Sequence, residues 1–541
     1  MQATQWLKTI LAVCFLSTAG LPAAVQAQSC ASYTYTGVTP AFTSTYTNRV
    51  TFVNNCADSA YVIMTTPADP LSEALWANAT VPGNSITKSN VGQHYYFTNQ
   101  IPAGGSQTMC LPDAGAASGN FTFSFGCTAI DTANTGLPMT CLIGSDPGKL
   151  YNGMDTVFEL SPGCKYYTPP TQQNPNPDNS QCTYNPSNPS ATLTQIDYLD
   201  VSAVTGFSIP MGLAIADSAT YQCTFPSRTL VADLASCPYE NFTTLSTKYN
   251  CPEVGTANGG QGISLQLMNQ TPGWTGYAAA CISPVQWIAA VSQHLPGVSS
   301  TCSVNTTPTG TPQTSGIPTI ADWYGCTYML QAGDDAYPLT CLTPGCGGPQ
   351  CAVGPDGTAA NYDPGSYHYN TAAISRGKSV AYTNYVTTLK AMGNEVYTWM
   401  YDDGPGTLSC NVTGASMTVT LCPGQAGQKP YDIATQTWSY NATTNRCVVD
   451  TAGTYANQSA CMAANGKYAC SSETESKAQT GTTTWVTATL NYCKPLDPAT
   501  ATAGQLAAAV SLAACRSSTC QRTGTVSYNT PAPQDLLLLG N

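Results

Sequence analysis

Residues 395–410 read EVYTWMYDDGPGTLSC. Tyr397, Trp399 and Tyr401 alternate with Val396, Thr398 and Met400, and two adjacent carboxylates, Asp402 and Asp403, stand before Gly404-Pro405-Gly406. Only 9% of the chain is charged, so a carboxylate pair at the end of an aromatic strand is a candidate for acid–base work. Glycosidic hydrolysis asks for this residue type: one carboxyl protonates the leaving oxygen while a second, ~5 to 9.5 Å away, acts as base or nucleophile. The same residues also suit a structural role, because Asp ahead of Gly-Pro-Gly initiates turns.

Other chemistries find little support. The three histidines, His94, His294 and His368, are far apart in the chain, and no C-x-x-C occurs. Neither a zinc ribbon nor a thioredoxin-type redox pair is therefore indicated. Nothing matches a serine nucleophile elbow, a metal motif or a phosphate loop, so no metal or other cofactor is expected.

The elements that must position the carboxylates belong to an exported, disulfide-braced chain. Lys8 precedes an apolar run from Ile10 to Leu16, and Val25-Gln26-Ala27 offers a small-residue cleavage site. Residues 1–27 are thus read as a secretory signal peptide. Cys14 lies in this leader, leaving an even 24 of the 25 cysteines for a framework of up to twelve disulfides in an oxidising compartment. The formal net charge of −12 disfavours nucleic acid, which needs a cluster of cations, and equally disfavours anionic membrane surfaces. No membrane span is expected.

Short alternating segments separated by Gly, Pro and Asn clusters predict strands at 49–53, 60–64, 121–125, 381–385, 395–401 and 416–421, an all-β pattern. Helical signals are few and short, with 284–294 and 505–514 the better candidates. Stretches rich in Pro, Asn and Gln at 168–192, and in Pro and Thr at 306–318, read as loops or insertions. A change of texture after Cys422-Pro423 places a boundary near residue 425, with a C-terminal cysteine-containing module over 426–541 that holds six cysteines.

Three stretches resemble the thaumatin-like family, the osmotin-type plant defence proteins and their relatives. VTFVNNCADSAYVIMTT (50–66) is similar to its N-terminal strand pair, and TLTQIDYLDVSAVTGFSIPM (192–211) to its T-L-x-E…D-x-x-D-V-S-x-x-D-G-F-x-x-P-M. TNYVTTLKAMGNEVYTWMYDDGPGTLSC (383–410) resembles its Y-D-D segment, and MTVTLCP (417–423) its closing strand. The resemblance implies a flattened β-sandwich with a disulfide-rich loop domain over 28–425, enlarged by insertions near 168–192 and 306–380. It further implies disulfides Cys56–Cys422, Cys223–Cys410, Cys237–Cys251 and Cys127–Cys141. A further family bridge has neither half here, its positions reading near Thr229 and at Gly393.

The family's working surface is an acidic cleft. Carried over by resemblance, its arginine positions fall on Asn120 and Ser124, its glutamate on Gln195 and one aspartate on Thr205, while Asp197, Asp200, Asp402 and Asp403 keep carboxylates. Replacing the glutamate by Gln195 removes a proton donor, which favours binding over hydrolysis. Three functions stay open. The first is a secreted monomer that binds β-glucan or a related wall polysaccharide, in an antifungal or defensive role. The second is a weak endo-β-1,3-glucanase using Asp200 and Asp402. The third is an extracellular interaction protein on the same scaffold.

Overall fold

The computed structural model describes residues 30–144 and 155–162 with short breaks, 197–216, 228–230, 234–240, 263–267, 279–284, 384–392, 396–398, 408–410, 416–423, 427, 429, and 437–518 and 525–529 with short breaks. In chain order the strands begin with β1 (Tyr33–Tyr35), β2 (Phe42–Ser44), β3 (Asn48–Asn54), β4 (Ala60–Thr65), β5 (Ile86–Lys88), β6 (His94–Phe97), β7 (Ser106–Leu111) and β8 (Gly119–Phe125). There follow β9 (Ala129–Ile130), β10 (Pro138–Met139), β11 (Val157–Ser161), β12 (Asp197–Ser202), β13 (Gly206–Phe207), β14 (Met211–Ala216) and β15 (Arg228–Leu230). Next come β16 (Tyr239–Glu240), β17 (Ile263–Ser264), β18 (Gln266–Leu267), β19 (Ala280–Ile282), β20 (Leu408–Cys410) and β21 (Ser416–Leu421).

Two sheets carry the architecture. A seven-stranded sheet runs β20-β12-β11-β8-β4-β6-β5, and a five-stranded sheet runs β15-β14-β21-β3-β7. The strand pairings described in them are antiparallel except β21 with β3, where the last strand of the unit lies parallel to an early one. Cys56–Cys422 ties the two strands just past their ends.

Strand alternation explains how the sheets meet. Along β3, Val50 and Phe52 are buried while Thr51 and Val53 between them are only partly so, the period-2 signature of a half-buried strand. The Phe52 ring packs against Phe97, Phe121, Phe123 and Phe158 of the larger sheet, with centroids 5.3–6.3 Å apart. Leu160, Leu199 and Val201 from that sheet, and Met211, Leu213, Val419 and Leu421 from the smaller one, join the same core. This is a sandwich with an aromatic centre. The helix Pro70–Ala77 adds Trp76, whose ring lies so close to Gly119 that a Cβ there would sit 2.5 Å from it; only glycine fits.

Several expectations are corrected. Residues 384 and 385 begin the helix Asn384–Met392 rather than ending a strand; Tyr385, Val386 and Leu389 are buried together, a helical spacing. The predicted helix at 505–514 is two short helices, Ala503–Ala507 and Leu512–Ser518. Between them Val510 exchanges backbone hydrogen bonds with Tyr468, which interrupts the helical ladder. Only Pro284 of the 284–294 helical signal lies within the described residues.

Cys237 bonds to Cys281, not to Cys251. The β18–β19 pairing places Cys281 opposite Gln266. That glutamine's amide donates to Leu234 O, one turn before Cys237. Cys127–Cys141 is formed, and Cys30–Cys110 is an additional bridge. The Cys223–Cys410 pair lies outside what the described side chains reach.

The C-terminal part has a second core of Trp438, Cys447, Cys461, Met462, Tyr468 and Cys515. It is built on a hairpin of β22 (Trp438–Asn441) and β23 (Arg446–Val449), the helix Gln458–Asn465, and a three-stranded sheet of β24 (Tyr468–Ala478), β25 (Trp485–Pro495) and β26 (Thr525–Asn529). Cys447–Cys461 braces it. Asn445 sits in the left-handed region at φ 49°. Its amide donates to Lys467 O and Leu496 O, while its Oδ1 accepts from Lys467 N and the Tyr440 hydroxyl.

Among the described residues, no helix is long and apolar enough to cross a membrane.

Candidate functional site

One face of the seven-stranded sheet is spent on the aromatic core, so by alternation the other face takes the intervening residues. In register, Thr65 stands opposite both His94 and Asn120, Asn120 opposite Glu159, and Glu159 opposite Asp200. These five residues form one straight polar row across β6, β4, β8, β11 and β12. Directly opposed cross-strand neighbours have Cβ atoms ~4.5–5.5 Å apart, so Glu159 and Asp200 bring two carboxyl groups together.

The row borders a covered region. On the same face, Ile63, Thr122, Val157 and Ser202 are buried. Backbone hydrogen bonds from Phe125 N to Ile143 O and from Leu142 N to Phe125 O bring residues 142–143 onto β8. Gly144 passes so close that a Cβ would lie 1.9 Å from Phe123 O, and its φ is +90°. Thr65, His94, Asn120 and Glu159 keep part of their surface in solvent, while Asp200 has none. From His94 to Glu159 the row is thus a partly open strip beside a covered part of the sheet, and it ends at buried Asp200.

Burial pushes the Glu159 carboxyl up to about 7, against a hydrogen bond from the Ser202 hydroxyl that favours the ionised form. A carboxyl with this affinity for its proton is a donor near neutral pH. β11 is fixed at its start by Thr156: its hydroxyl donates to Ile209 O at 2.7 Å and accepts from Ser208 N and Ile209 N. Asn120 contributes an Oδ1 that is buried without a hydrogen-bond partner. His94 is held neutral by burial, and its Nδ1 lies 2.9 Å from the Thr65 hydroxyl.

The structure brings Asn120 and Asp200 into one row; it adds Glu159, which the sequence reading passed over. The signal was present: Thr156-Val157-Phe158-Glu159 has the same Thr, apolar, any, Glu spacing as the motif matched at 192–195. Gln195 lies outside the described residues. Asp197 stands on β12 opposite Cys410. Thr205 is partly buried in the turn after β12, its carbonyl accepting from Ser283 N at 3.0 Å.

Asp402 and Asp403 also lie outside the described residues, but the segments on either side of them pair with the Asp200 strand. Tyr397 bridges Ser202 in parallel fashion and donates its N–H to Val201 O, while Leu408–Cys410 pairs with Asp197–Leu199. Among the described residues no three metal-ligating side chains converge.

Behind the β12–β13 turn, the buried Tyr385 hydroxyl donates to Ala203 O at 2.6 Å. Buried Glu240 accepts from Tyr385 N, at the first turn of the helix Asn384–Met392. Burial raises the Glu240 carboxyl to about 7, and the backbone N–H groups of Tyr385 and Asn384 pull it the other way.

No protein-family model matches the chain, and no curated protein matches it significantly.

Proposed function

We propose that this is an exported protein of thaumatin-like type that binds a β-glucan or related wall polysaccharide along the polar row of the seven-stranded sheet. The observation that carries the reading is the unbroken alignment of Thr65, Asn120 and Glu159 on one partly open face, with buried Asp200 next in register. Sugar hydroxyls are bound by carboxyl, amide and hydroxyl groups of this kind, each offering donors and acceptors at fixed spacing. The export reading draws support from the disulfides, which persist in oxidising compartments. Retention of the oxidised protein on insoluble β-1,3-glucan, set against chitin and cellulose, tests it. Retention lost in Glu159→Gln and Asn120→Ala is the expected outcome, and no retention on any of the three would exclude it.

A second reading, hydrolysis, is favoured by one observation: Glu159 holds its proton to about pH 7 directly beside a second carboxyl. Binding ranks first because hydrolysis needs two carboxyls reaching the scissile bond, and Asp200 has no exposed surface. Reducing sugar released by the parent and abolished in both Glu159→Gln and Asp200→Asn would promote hydrolysis to first place.

A further inference from the structure

We infer that the site does not end at the carboxylates but runs away from them across the sheet to His94, forming a linear series of subsites for a polysaccharide chain laid perpendicular to the strands. The inference rests on the glycan reading above and specifies the length and direction of the bound segment.

The geometry follows from register alone. Asp200, Glu159, Asn120, Thr65 and His94 lie on five successive strands of one sheet. Neighbouring strands are about 4.8 Å apart, so the part of the row with exposed surface, from Glu159 to His94, is about 14 Å long. A glycan chain lying on the row passes one polar side chain after another.

The chemistry changes along the row. One end carries the Glu159 carboxyl, with Asp200 buried beside it, and the middle an amide. The far end carries a hydroxyl and a neutral imidazole joined at 2.9 Å. At that end Gly92, with φ +55°, presents no side chain to the ring: a Cβ there would approach His94 Nε2 to 3.6 Å. The aromatic Tyr96 is two residues further along the His94 strand, opposite Ile63, and is partly exposed. Covered residues on the 63–122 side of the row give the strip a wall. A long ligand is guided along it rather than across the face.

The test is a titration of the full oxidised protein with β-1,3-linked glucose oligomers of two to six units. Affinity should rise from the dimer to about four units and then level off. His94→Ala and the shape-conserving Thr65→Val should each weaken the hexamer about tenfold, the loss of one hydrogen-bonded contact. Both should leave the dimer within about twofold of the parent, since the dimer occupies the carboxylate end. Unchanged melting of Thr65→Val would separate a binding loss from misfolding. Affinity that stops rising at two units, or equal losses for dimer and hexamer, overturns the extended strip while leaving the glycan reading intact. If the parent binds no oligomer of any length, the glycan reading fails first and the strip with it.

Discussion

Glu159 and Asn120 illustrate how a residue's neighbours on adjacent strands, not its neighbours in sequence, set its chemistry. The Glu159 proton is retained because burial penalises the charge, so its folded pKa exceeds the value of about 4.3 for an unfolded glutamate. The stability this proton supplies is complete below about pH 4 and is lost as pH rises through about 7. Glu159→Gln should match the parent at pH 4 and gain on it steadily up to pH 8, by about 2 to 3 kcal/mol. Urea melts across that range measure it; a constant difference at every pH would show that folding does not raise the Glu159 pKa. Glu240 shifts in the same direction from the same cause. A Glu240→Gln change should likewise be least harmful at high pH, though it weakens acceptance from the helix N–H groups.

At the scale of elements, the row depends on β11 keeping its register between β8 and β12, and Thr156 is its pin. Thr156→Val removes one donor and one acceptor serving three buried backbone groups and should cost about 2 kcal/mol, read as a shift in denaturation midpoint. Phe52→Ala, at the centre of four ring contacts, should cost about 3 to 5 kcal/mol. Strands of this kind were legible in the sequence. The alternation at 49–53, 60–64, 121–125 and 416–421 predicts segments that the structure extends by a residue or two or leaves unchanged. What pattern reading missed were features that depend on pairing. Glu159 gains a partner only because β11 and β12, separated in sequence by residues 162–196, lie side by side. Cys237 meets Cys281 because β18 and β19 fold back on the turn before it. Tyr385 reads as part of a β-alternation, yet burial of one helical face, with Glu240 at its first turn, makes the segment a helix.

At the scale of the whole molecule, the described buried residues fall into two clusters, one from Tyr46 to Cys422 and one from Trp438 to Cys515. Asn445 organises the second core alone, since all its amide bonds stay within the C-terminal part. Asn445→Ala removes four side-chain hydrogen bonds and forces a left-handed φ on alanine; it should destabilise that part by about 2 to 4 kcal/mol. Tryptophan fluorescence should then show a low-temperature transition, with retention on β-glucan unchanged. Loss of glycan binding together with that transition would show that the two cores unfold as one.

The bridge between Cys56 and Cys422 spans 366 residues and makes everything between them a covalent ring. Synthesis is vectorial, so the edge of β3 away from β7 must wait unpaired until β21 arrives before the smaller sheet can close. Such distant pairing is slow and leaves an apolar edge open to other chains meanwhile. Once shut, the ring has the opposite property. A protease cutting anywhere between the two cysteines opens the loop without detaching anything, so the nicked protein should run as one band until a reductant is added.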